Sequence, residues 1–145
     1  MRRGGLALAL WCLGACGSGS SADDPSGTYV GSYGATRQSD TPTSDPTHET
    51  VQPATVVIEK AGDVFRLTLE GGCVLTSSPT TTNFFVVGQS CVSQALMRNA
   101  TLSVRGGYFS STLPGVLELN VAFHYQRTDN SDSGTLTLGY GGNRR

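Results

Sequence analysis

Lysine is almost missing from this 145-residue chain: Lys60 is the only one. No segment gathers arginines into a basic cluster either. Nucleic-acid binding by counterion release needs a concentrated positive face, so that partner is set aside. Trp11 is the single tryptophan, and histidine is limited to His48 and His124. The apolar run at residues 6–13 falls well short of the about 20 residues that a membrane-spanning helix needs. Beyond residue 25 no stretch sustains a 3.6-residue apolar period, which argues against amphipathic helices. Catalytic signals are scarce too. No G-x-S-x-G elbow occurs, and neither histidine stands at a ligand spacing from a cysteine. Serines and threonines are too abundant to nominate a nucleophile with a base and an orienter. The sequence reads as a non-enzyme without cofactor or metal.

What is present begins with an address. Arg2 and Arg3 precede the apolar run, and small residues close it at Leu13-Gly14-Ala15-Cys16. A basic start, a short apolar core and small residues before a cleavage point make a secretory signal. The LGAC junction resembles the lipobox of bacterial lipoproteins, where the peptidase cuts before the cysteine and its thiol carries diacylglycerol. That resemblance implies a signal peptide over residues 1–15 and membrane attachment through a lipid on Cys16. Cys12 is a poorer acceptor, because bulky Leu10 and Trp11 precede it. The same lipoprotein resemblance associates Gly17 after Cys16, rather than Asp, with transfer to an outer membrane. Residues 16–25, ending in Gly17-Ser18-Gly19-Ser20-Ser21-Ala22-Asp23-Asp24-Pro25, have the composition of a flexible tether.

Cleavage would leave 130 residues with eight basic and eleven acidic side chains, net −3. That length suffices for one domain with a modest core. Cys73 and Cys91 then remain, and two thiols in an oxidising compartment most simply form one disulfide. Closing their 18-residue interval contributes about 3 kcal/mol in the chain-entropy model.

The domain, residues 26–145, is dominated by period-two patterns. Leu117, Leu119, Val121, Phe123 and Tyr125 alternate with Glu118, Asn120 and His124; Phe65, Leu67 and Leu69 alternate with Arg66, Thr68 and Glu70. One wet face per strand argues for antiparallel pairing. Turn residues separate the runs: Gly62, Gly71-Gly72, Gly106-Gly107 and Pro114-Gly115. Strands are expected at 27–36, 55–60, 64–70, 73–76, 83–87, 100–105, 108–112, 116–125 and 135–140. Eight or nine short antiparallel strands in sequence order predict an all-β meander closed into a small barrel, or folded into a sandwich.

Residues 37–53 break the pattern. With Pro42, Pro46 and Pro53, several acids and few apolar residues, they read as a long loop, either unstructured or overhanging the barrel mouth. The segment from Thr128 to Gly134 superficially matches a calcium loop from Asp129. Its twelfth position is Tyr140 rather than a bidentate glutamate, so local Asp and Ser hydrogen bonds explain it adequately. His124 lies on the polar face of its strand and reads as a surface residue. Phe84-Phe85-Val86-Val87 is apolar on both faces, so either something covers its outer side or it forms a contact patch.

Gly27-Thr28-Tyr29-Val30-Gly31, followed by a long loop and a run of hairpins, resembles the opening of lipocalin-like (calycin) barrels. Tyr29 stands where that family carries tryptophan, and Arg144 or Arg145 after Tyr140 would imitate its closing basic residue. The resemblance implies a cup for a small apolar ligand, although fold alone does not establish function. Two function classes stay open. One is a lipid-anchored binding module for a small apolar ligand or a protein partner. The other is a structural or envelope-assembly component without a pocket. An empty interior would favour an apolar ligand; a filled core with an exposed strip at residues 84–87 would favour assembly.

Overall fold

The computed structural model describes residues 24–41, 45–79, 83–113 and 115–145. Cys16 and the predicted signal lie outside the described residues. The apolar alternation resolves into eight strands: β1 (Gly27–Ser39), β2 (Thr47–Ala61), β3 (Val64–Thr68), β4 (Val74–Thr76), β5 (Ser90–Val92), β6 (Ala100–Leu113), β7 (Val116–Arg127) and β8 (Ser133–Arg144). A 3-10 turn at Glu70–Gly72 separates β3 from β4. All pairs are antiparallel, in the order β4-β3-β2-β1-β8-β7-β6-β5. Because β1 pairs with both β2 and β8, the meander curls until its two short edge strands approach. The chain is an all-β, nearly closed barrel.

Strand β7 shows how the code is read. Leu117, Leu119, Val121, Phe123 and Tyr125 are buried, while Glu118, Asn120 and Gln126 are exposed. The same alternation buries Ala54, Val56 and Ile58 on β2 and Leu136, Leu138 and Tyr140 on β8. An eight-stranded barrel is just wide enough for its inward side chains to fill, and Tyr29, Tyr33, Phe123 and Tyr125 are each at most 1% exposed.

Close strand approach depends on particular residues. A Cβ on Gly31 would run into the Gly141 carbonyl oxygen of β8. Gly115, directly before β7, adopts φ +84°, a left-handed conformation that favours glycine. The ladder of β1 and β2 shifts register between Gly31 and Tyr33, opposite the cis Gln52-Pro53 peptide. Proline is tolerated at such an irregularity because it has no N–H to give the ladder.

Three expectations are corrected. Residues 37–53 are not a long loop, because β1 continues to Ser39 and β2 starts at Thr47, pairing Arg37 with Thr47 and Thr36 with His48. Gly106-Gly107 is not a turn: β6 runs straight through, with a register shift between Val104 and Gly106. Residues 83–87 form no regular strand, only the isolated bridges Ser77–Phe85 and Phe84–Tyr108.

Candidate functional site

The two sheet edges meet at a seam that side chains close. Cys73, just before β4, is disulfide-bonded to Cys91 on β5, with Cα atoms 5.2 Å apart. The Gln89 side chain imitates a strand residue: Oε1 accepts from the Thr76 N–H at 2.7 Å, and Nε2 donates to the Thr76 carbonyl at 2.9 Å. Residues 83–89 fill the remaining gap. The Phe85 and Gly88 amides donate to Gly107 and Val104 of β6, and the Val86 and Ser78 amides bond Thr76 and Phe84 across the other side. Ser77, fully buried, accepts from the Phe65 N–H through its hydroxyl.

This arrangement resolves the doubly apolar run. Phe85 points inward and packs on Phe109 at 5.8 Å, and Phe109 in turn meets Phe65 edge-on at 6.0 Å. Phe84, Val86 and Val87 point outward; Phe84 is 55% and Val87 64% exposed. Phe84 lies 6.3 Å from the Tyr108 ring, also exposed. Val74 and Val92, beside the two disulfide cysteines, extend the same outer surface along the seam. Six large apolar side chains are therefore exposed on the elements that make or flank the seam. Isolated exposed apolar residues are ordinary; a continuous set marks a contact surface.

The other distinctive region is a barrel end. Inward register carries β1 from Tyr33 through Ala35 to Arg37, and β7 from Tyr125 to Arg127. There the core turns charged. A cleft of about 360 Å³ is lined by Ala35, Arg37, Glu49, Met97, Arg127 and Leu136, with the loop of residues 94–98 at its rim. That loop is fixed by buried Ser93, whose hydroxyl donates to the Glu70 carbonyl and accepts from the Leu96 amide. Beside the cleft, Asp132 accepts from the Ser39 hydroxyl at 2.5 Å and the Tyr125 hydroxyl at 2.9 Å. The Ser39 bond, together with Tyr125 and the Arg37 and Arg127 charges, holds the Asp132 carboxyl below its ordinary range. Burial pushes the Tyr125 phenol up.

Other residues singled out in the sequence are not brought together. His48 Nδ1 lies 3.0 Å from the Thr36 hydroxyl. His124, half-buried, sits between Ser103 and Thr135 in the ladder. Asp129 accepts from the Ser131 amide and hydroxyl, the local turn bonding expected of that loop. Arg144 stands opposite Tyr29, and its guanidinium donates to the Ser26 carbonyl. Among the described residues no group of three or more His, Cys, Asp or Glu could hold a metal. Sequence reasoning missed β5, the Gln89 pairing and the charged barrel end. No known family model matches this chain, and no curated protein matches it significantly.

Proposed function

We propose that this chain is a lipid-anchored envelope protein that docks a protein partner on the outer wall of its barrel. The observation that carries the reading is the seam surface: Val74, Phe84, Val86, Val87, Val92 and Tyr108 lie outward on a barrel whose axis is filled by its own side chains. Aromatic anchors surrounded by smaller apolar residues are the usual centre of a protein interface. Among the described residues Tyr29, Tyr33, Phe123 and Tyr125 occupy the interior, which favours a partner on the outer wall over an apolar ligand on the axis. The LGAC junction and Cys16 supply the membrane attachment and the extracytoplasmic address, with the outer membrane as destination.

The test uses the full lipoprotein in its bacterial envelope. A photo-crosslinking residue at Val87 should give one discrete adduct, and the same residue at exposed Thr137 on β8 should give none. Phe84→Asp with Val87→Asp should remove the adduct formed from Val92 while leaving the melting temperature unchanged, since both side chains are exposed. Equal crosslinking from both walls would overturn docking at the seam. The anchor is tested separately: Cys16→Ser should abolish the lipid-dependent mass increase and release the protein from membranes. Unchanged mass and membrane partition in that variant would overturn the lipoprotein reading without touching the docking result.

A further inference from the structure

We propose that the cleft at the charged barrel end binds a small amphiphilic carboxylate, with Arg37 and Arg127 gripping its head and Leu136, Met97 and Leu96 holding its tail. The inward faces of β1 and β7 are apolar from Tyr33 to Ala35 and from Leu117 to Tyr125, and the next positions of the same parity are Arg37 and Arg127. An inward-facing charge is costly unless it is paired. Yet among the described residues no carboxylate is ion-paired with either guanidinium, although both charges reach Asp132 through space. Arg127 donates one bond, to the Arg98 carbonyl at 3.2 Å. Asp132, beside the cleft, already accepts from Ser39 and Tyr125. With Arg98 at the rim and Glu49 as the one acid, the cleft carries a net positive charge. The predicted mature chain is net negative. The excess of cation is therefore local.

The guanidinium fork matches a carboxylate in two parallel hydrogen bonds. The floor decides the rest of the ligand. Met97 and Leu136 are buried side chains that present apolar edges to the cleft, and Ala35 leaves space between them. A volume of about 360 Å³ lies at the small end of ligand pockets and fits an acyl chain of roughly eight carbons. A longer chain would have to enter the filled core.

The experiment titrates sodium octanoate, octanol and octylamine separately into the full chain carrying Cys16→Ser, so that no detergent competes for the cleft. Calorimetry should show saturable one-to-one binding of octanoate and none of octylamine. Arg37→Gln and Arg127→Gln should each weaken it about tenfold or more, the scale of a lost charge-assisted pair. Arg37→Lys should retain part of the affinity. Glu49→Gln, at an exposed position, should tighten binding a few-fold, a gain that no folding defect can imitate. Octanol binding as tightly as octanoate would overturn the proposal. So would an octanoate affinity indifferent to Arg37, Arg127 and Glu49, or no saturable binding at all.

Discussion

The barrel is closed twice, and the two closures are built differently. Where β1 meets β8, eleven consecutive residue pairs run without a register shift from Tyr29–Arg144 to Ser39–Gly134. Where β4 approaches β5, the strands have three residues each, and one disulfide, one glutamine and one irregular segment do the joining. The first closure is backbone chemistry, which almost any side chain on the outer face would permit. The second is written in individual side chains. A sheet edge left open invites pairing with other chains, so the seam must be covered, and its short strands, crosslink and Gln89 do that. The apolar outer wall sits on this covered edge, not on the regular ladder.

The comparison breaks at different energies. The largest effect is expected at the ladder, where only a steric intrusion can act: Gly31→Val would force β1 from the Gly141 backbone and should cost about 3 kcal/mol or more. Denaturant unfolding would measure it, and a cost below 1 kcal/mol would show that the ladder is not closely packed there. Next comes the crosslink. Cys73→Ala with Cys91→Ala should cost about 2–4 kcal/mol, and the denatured, unreduced parent protein should show no titratable thiol at either position. A smaller loss follows from Gln89→Ala, which strips the Thr76 N–H of its acceptor while Val86 still serves the carbonyl. An unsatisfied amide of this kind costs about 1–2 kcal/mol. Gln89→Glu, which keeps the acceptor, should fall between the two.

The smallest effect depends on pH. Asp132 is held below its ordinary 3.8, first by the Ser39 hydroxyl. A lowered folded-state value means that ionised Asp132 adds stability above pH 3.8, and that this contribution fades as pH falls through the lowered value. Ser39→Ala should therefore lower the melting temperature near neutral pH. The difference from the parent should shrink toward zero in strong acid. A pH-independent difference would assign the loss to packing alone.

Legibility in the sequence followed the same division. Strand β7 was readable because its burial alternates without exception from Leu117 to Tyr125. The disulfide was readable because Cys73 and Cys91 were the only thiols left over. The first half of β2 was not, since Thr47 to Thr50 are exposed on both faces and only long-range pairing with β1 makes them a strand. Gly106-Gly107 carried a real backbone signal, but glycines mark bulges and turns alike. Strand β5 is too short for any period to show. Arg37 and Arg127 lie 90 positions apart in the chain; only the register through β8 brings them to one barrel end.

Pro25 and Ser26 are tied to the barrel by the Tyr29 hydroxyl and the Arg144 guanidinium, at the end opposite Arg37. That placement has a mechanical consequence. A pull on the chain ahead of Asp24, directed away from the barrel, runs along β1 and loads both of its ladders in shear. Many hydrogen bonds then bear the force together, whereas peeling would break them one at a time. Tension arriving from the N-terminal side thus meets the strand best placed to resist it, and the charged end faces away from its source.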